Sequence, residues 1–252
     1  MAALEIYQLE NGYCYNTDSL ILAYFARNFL KKHMRILDVG AGSGILGILC
    51  AREICNLGGK AELHLVEKDE AMSILARKNA QSFGGMVHCV DFLDFETPSK
   101  FDFIITNPPF YTKGALHGQN TRKNLARQSC FLPLHDLLTH IKRVLKPNGV
   151  LCMCYDARLC YELFCEFGAC GLHIDEVCFV HSLPSRESTL VVLKAKIQSK
   201  SPLRILPPIF THQSSKQSDN TKELKAIYAW AKTKSIKIKT LSALDSIMPL
   251  QV

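Results

Sequence analysis

The sequence has no apolar stretch long enough to cross a bilayer. Its longest uninterrupted apolar run, Leu20–Ala26, spans seven residues, against the ~20 that a membrane helix needs. The first ten residues carry Glu5 and Glu10 instead of the basic and then apolar order of a secretory leader, so a cytoplasmic protein is expected. There is no Cys-x-x-Cys pair among the 11 cysteines. Cys152 and Cys154 stand two apart in a strand-like run, and Cys160, Cys165 and Cys170 stand five apart. Neither set gathers easily around one ion, so no metal is expected, and an odd number of cysteines favours reduced thiols used as small hydrophobes. No Gly-Lys-Ser/Thr follows the glycine-rich turn, which excludes a triphosphate loop. Ser43 has no Gly-x-Ser-x-Gly setting, which excludes a hydrolase elbow. No internal repeat is visible.

What is present is a chain of 252 residues, 48% hydrophobic, able to bury a substantial core. Residues 1–193 carry 19 Lys+Arg against 20 Asp+Glu, while residues 194–252 carry 11 against 3. The net charge of +7 therefore belongs to the tail.

Strand and helix patterns alternate. A helix is expected near 18–30, then a strand at 36–39, helix 45–54, strand 62–66, helix 69–82 and strand 86–90. A strand at 103–106 follows, then helix 133–145 and a Lys-Pro-Asn-Gly turn at 146–149. Strand 150–155, helix 156–167 and strands 175–181 and 188–197 complete the pattern. The last two are joined by a link too short for a helical crossover, so they pair antiparallel. This is an α/β chain with seven strands, one reversed, over 1–197. Ser199–Pro202, Pro207-Pro208 and His212–Asn220 read as polar or proline-punctuated linker. A basic extension, 198–252, is expected to hold one short helix, opened by Asn220 and Glu223 as a capping box, with an apolar stripe of Leu224, Ile227, Tyr228 and Ala231.

Chemistry gathers at successive strand ends, where open α/β sheets bind ligands. Asp38 precedes Gly40-Ala41-Gly42-Ser43-Gly44, whose glycines allow a tight turn and close backbone approach. Glu67 follows 23 residues after Gly44, where a carboxylate accepts hydrogen bonds from both ribose hydroxyls. Asp91-Phe92 ends the next strand, suited to receive an adenine amino group and cover the ring. Asn107-Pro108-Pro109-Phe110 ends the fourth. Two prolines cannot donate to a ladder, so the chain must leave the sheet there. An amide, fixed carbonyls and an aromatic ring remain, a site for the amino group of a flat, conjugated substrate.

These residues together resemble the class I S-adenosylmethionine-dependent methyltransferases, with a Rossmann-like sheet and helices on both faces. The likeness covers residues 5 to about 196, and Asn107–Phe110 is similar to the (N/D)PP(Y/F/W) signature of amino-methyltransferases. Asn11 to Leu20, containing Thr17-Asp18, resembles the opening of the bacterial tRNA(Val) adenine-N6 methyltransferases, and Arg122 with Ala126-Arg127 matches their spaced arginines. The resemblance implies S-adenosylmethionine as cofactor, held by Thr17, Asp18, Asp38, Gly40, Gly42, Gly44, Glu67, Asp91, Phe92 and Asn107. It implies catalysis by Asn107, Pro108, Pro109 and Phe110. An RNA substrate, most naturally tRNA, would contact Phe110, Lys113, Arg122 and Arg127, with no obligate protein partner.

Four other functions compete. Methylation of a glutamine amide in a release factor goes with a helical domain ahead of the glycine loop, and here 37 residues precede Asp38. DNA adenine methylation normally needs a separate target-recognition region, and none is apparent. Guanine-N2 methylation of rRNA also uses an NPPF sequence. A cofactor-binding RNA scaffold without catalysis has no need of Asn107–Phe110. The tail is expected to supply RNA affinity, and its removal after Ile197 to spare cofactor binding.

Overall fold

The computed structural model describes residues 3–12, 14–109, 133–216 and 218–245. Phe110, Lys113, Arg122, Ala126 and Arg127 lie outside the described residues. Apolar residues fill both faces of the central strands: β2 (His33–Val39), β3 (Lys60–Val66), β5 (Phe101–Thr106) and β6 (Leu145–Asp156). Side chains alternate across a strand. Ile36, Phe103, Ile105, Cys152 and Cys154 thus enter one core, and Leu37, Ile104, Leu151 and Met153 enter the other. A sheet buried on both faces needs helices on both. α1 (Thr17–Ala26), α2 (Ile45–Asn56) and part of α3 (Glu70–Ala80) cover the first face. α4 (Leu134–Val144) and α5 (Cys160–Ala169) cover the second.

With β4 (Met86–His88), β7 (His173–His181) and β8 (Ser188–Lys196), the spatial order is β4-β3-β2-β5-β6-β8-β7. β8 runs antiparallel between β6 and β7, and the other pairings are parallel. Seven strands with one reversed therefore stand as expected, and two more join them. β9 (Arg204–Ile205) and β10 (Ile209–Phe210) add in parallel to the outer edge of β7, making nine. The Lys146–Gly149 turn is absorbed as an irregularity within β6, where Leu145 and Val150 face Phe101 and Phe103.

These two strands fall between the segments read as linker, and the extension holds more than one short helix. α6 (Lys222–Ala231) begins one residue later than expected, with Thr221 as its cap, and buries Leu224, Ile227 and Ala231 in the first core. Tyr228, expected in that stripe, is exposed. Arg52 of α2 donates to the carbonyls of Trp230 and Ala231 at 2.8 and 2.6 Å, satisfying the orphan groups of the helix end with a cation. β11 (Thr233–Ile238) then pairs in parallel with β1 (Leu4–Leu9) as a separate two-stranded sheet. A short helix, α7 (Ser242–Asp245), packs Leu244 with Met72 and Leu75 of α3.

The described cysteines are free thiols, and Cys50, Cys152, Cys154 and Cys178 pack in the first core. No helix is long and apolar enough to cross a membrane among the described residues.

Candidate functional site

The site is built at the carboxyl ends of β2, β3 and β5. Gly40, Gly42 and Gly44 have φ of 65°, 54° and 86°, a region costly for residues with a Cβ. At Gly44 a Cβ would also stand 2.9 Å from Leu65 Cδ2, whereas at Gly40 it would meet nothing within 4 Å. The loop is thus packed at its helix end and open at its strand end. Gly40 and Ala41 donate to the Val66 carbonyl at 2.9 and 3.0 Å, and Gly42 N–H donates to Glu67 Oε2 at 2.8 Å. The other Glu67 oxygen accepts from Asp69 N–H at 2.9 Å.

Asp38 is fully buried. Its Oδ2 accepts from Gly47 N–H at 2.8 Å, while Oδ1 has no partner among the described residues. Burial pushes its carboxyl up to about 7, the Gly47 N–H opposes that, and nearby Glu67 adds to it. An unfolded aspartate titrates near ~3.9. The folded form therefore binds the extra proton, and its stabilising contribution is full below about pH 4 and lost as pH rises through about 7. Asp38→Asn, which cannot ionise, should gain on the cofactor-free wild type by roughly 4 kcal/mol between pH 4 and 8. Urea unfolding at several pH values measures it. Parallel pH curves would show that Asp38 titrates normally.

Asn107 leaves β5 half-buried, with Pro108 buried and Pro109 exposed. Its Nδ2 donates to Ser19 Oγ at 3.2 Å, and its Oδ1 accepts from the Cys154 thiol at 3.0 Å. Tyr15, Ser19, residues 40–43, Ile45, Leu46 and Asn107 line a single cleft. A wider groove of about 610 Å³, near Gly168, His173 and Lys200, lies at the amino end of β7, away from these residues.

Comparison with known proteins agrees with this architecture. Residues 16–174 match the family described as Methyltransferase small domain. The chain belongs to this family. A tRNA1(Val) (adenine(37)-N6)-methyltransferase of Phocaeicola vulgatus is 28% identical over 184 residues, 71% of this chain and 75% of that protein. A Shewanella protein of the same description is 32% identical over 151 residues, 56% of this chain and 60% of its own length. Among solved structures, an Agrobacterium tumefaciens protein described as a predicted O-methyltransferase superposes with a TM-score of 0.61. It is 18% identical, and the match covers 88% of this chain and all of that one. The methyltransferase subunit of a type I restriction-modification system from Streptococcus thermophilus gives 0.59 at 18% identity, covering 91% of this chain and 55% of that one. At such identities these two show the fold alone, the Rossmann-like class I methyltransferase fold.

Within this methyltransferase small domain protein, the expected residues are placed unequally. Asp38, Gly40, Gly42, Gly44 and Glu67 converge on one loop, and Asn107 faces it across the cleft. Asp91 lies three residues beyond β4, caps the turn at Leu93 and approaches Lys68 Nζ at 3.6 Å. Phe92 turns into the core against His140, ring centres 4.6 Å apart, and is 5% exposed. The ring-covering role expected of it is restricted to that small area. Thr17 Oγ1 hydrogen-bonds Tyr228 OH at 2.8 Å, and Asp18 accepts from Asn16 Nδ2 at 2.9 Å.

Several supporting residues carry no signal in the sequence. Gly47 lets α2 approach β2, since a Cβ there would stand 3.0 Å from Asp38 Cβ. Asn79 of α3 donates to the Ser43 and Tyr7 carbonyls at 2.9 and 3.0 Å, joining the loop to β1. On the opposite face, Cys170 meets His135 and Glu166 instead of another cysteine. The three could offer ligand atoms within 4.8 Å of one another, though His135 and Glu166 already hydrogen-bond at 2.9 Å.

Proposed function

We propose that the protein uses S-adenosylmethionine to methylate N6 of an adenine in RNA, the anticodon-loop adenine of tRNA(Val). The observation that carries this reading is Asn107-Pro108-Pro109 at the carboxyl end of β5, sharing one cleft with the glycine loop of β2. The names of the relatives point the same way. The residues present fit the cofactor: the loop has an open side at Gly40, and the Glu67 carboxylate ends β3 beside it. Asp38 fixes the start of α2, Glu67 accepts ribose hydroxyls, and Asp91 receives the adenine amino group. Thr17 and Asp18 lie in sequence between Tyr15 and Ser19, which line the same cleft.

Bound S-adenosylmethionine supplies an electrophilic methyl group. An adenine amine is a poor nucleophile because its lone pair is delocalised into the ring. Asn107 Oδ1 and the Pro108 carbonyl accept its two N–H groups, which favours a tetrahedral nitrogen and the positive charge developing there. Holding the amine in line supplies up to about 7–11 kcal/mol. The nitrogen carries an excess proton only after the methyl has moved, so no base is required before that step. The adenine must be unstacked to reach such a pocket, which suits a loop nucleotide. Phe110 stacking on the base and phosphate contacts by Lys113, Arg122 and Arg127 complete the proposal.

Nucleoside mass spectrometry of tRNA from cells with and without the gene tests it, and unchanged N6-methyladenosine would refute it. Asp38→Ala and Glu67→Ala should each weaken cofactor binding about tenfold or more by calorimetry, the size expected for a lost charge-assisted hydrogen bond. Wild-type affinity in both would refute the cofactor assignment.

The basic C-terminal segment would bring RNA to this cleft. Tyr228 of α6 touches Thr17 at the start of α1, and exposed Lys225 lies one turn before it. Lys222 and Lys239 are also exposed. Changing these three lysines to glutamine should flatten the salt dependence of tRNA binding by about 0.7–0.9 for each phosphate no longer neutralised, with cofactor affinity intact. An unaltered slope would place the RNA elsewhere.

A further inference from the structure

We propose that Ser19 and Cys154 are positioning residues that decide which end of the Asn107 amide faces the acceptor amine. The inference rests on the amine-methylating reading and adds how its central side chain is oriented. An amide side chain has two ends of nearly equal shape and opposite hydrogen-bonding character. Only with the oxygen toward the substrate can it accept from an amino group; reversed, it presents two donors to two donors.

Two neighbours of unlike character remove that ambiguity. The Cys154 thiol lies 3.0 Å from Asn107 Oδ1. It is fully buried, and burial holds it well above the ordinary thiol range, so it keeps its proton and acts as a donor. A donor at this position selects the amide oxygen. On the other side, Ser19 Oγ lies 3.2 Å from Asn107 Nδ2. A hydroxyl could serve either end, but this one directs its proton to Asn16 Oδ1 at 3.5 Å. That leaves its lone pairs for the amide nitrogen.

Asn16 is oriented in turn. Its Nδ2 donates to Asp18 Oδ2 at 2.9 Å, and its Oδ1 accepts the Ser19 backbone N–H at 3.2 Å as the cap of α1. Orientation is thus passed from Asp18 through Asn16 and Ser19 to Asn107 and closed by Cys154. A carbonyl oxygen has two lone pairs. Among the described residues the thiol uses one, which leaves the other for the substrate amine. Cys154 therefore differs from Cys50 and Cys152, which pack in the same core with no Asn107 contact.

The test is single-turnover methyl transfer to tRNA in wild type, Cys154→Val, Cys154→Ser and Ser19→Ala, with cofactor affinity and Tm measured on each. Valine fills the space without a donor and should lower the methyl-transfer rate about tenfold, the loss expected for one hydrogen bond at the reacting group. Cofactor affinity and the KM for tRNA should stay within about twofold of wild type. Serine restores a donor and should recover most of the rate; Ser19→Ala should behave like valine. A valine variant with the wild-type rate, or a rate loss matched by falls in cofactor affinity and Tm, would overturn this role alone. A wild-type protein that methylates no tRNA adenine would overturn the adenine reading, and this role with it.

Discussion

Asn107→Ala should reduce methyl transfer by about 10²–10³ while leaving cofactor affinity nearly unchanged. That range is what loss of one preorganised polar group at a transition state removes elsewhere. The asymmetry follows from position. Asn107 is held by Ser19 and Cys154 across the cleft from the loop, whereas Glu67 bonds the loop itself and Asp38 the first turn of α2 that follows it. Calorimetry and single-turnover kinetics on the same preparation separate the two quantities. Substantial residual turnover would mean that another group orients the amine.

Truncation after Ile197 should abolish stable folding. This reverses what the composition of the segment suggests, because a basic, proline-punctuated tail ought to be removable. The structure instead places Ile209, Leu224, Ile227 and Ala231 in the first core, each at most 7% exposed. Losing one buried Leu or Ile to alanine costs about 2–5 kcal/mol, and a domain has about 5–15 kcal/mol in total. Removing three such side chains already costs about as much as that whole margin, and β9 and β10 are lost with them. Loss of the cooperative transition in circular dichroism is the expected outcome. A truncated protein that still melts cooperatively and binds cofactor would show that the segment is dispensable.

How far the sequence disclosed this molecule depended on the range of the interactions involved. Strands buried on both faces, such as Phe101–Thr106, announce themselves as apolar runs, and the glycine turn and the two prolines are local signals. The central strands, the reversed last strand and the gathering of Asp38, Glu67 and Asn107 at strand ends were therefore readable, whereas the spatial order of the strands was not. β1 and β11 were not. Buried Gln8 of β1 hydrogen-bonds to exposed Ser235 of β11 at 2.6 Å, and neither strand shows a clean apolar alternation. Ile6 and Ile238 are buried, but each is an isolated hint. Cys154 was read as a hydrophobe by its spacing, because nothing in a sequence shows that a thiol ends beside an amide 47 residues away.

The pairing of β1 with β11 also sets an order of events during synthesis. Glu5 and Lys234, opposed across these strands, are 229 residues apart. At a ribosomal rate of about 5–20 residues per second, β1 waits on the order of 10–50 s for its partner. Until then Gln8 lacks Ser235 and Tyr15 OH lacks Thr233, its partner at 3.1 Å. Tyr15 lines the cleft, and Gln8 holds its backbone N–H at 2.9 Å. The cleft therefore gains its full wall only once residues 233–238 have paired with β1, directly after the core residues of α6 have been made. Catalytic competence should therefore arrive with the pairing of β11 and β1, and it should be lost when that pairing opens.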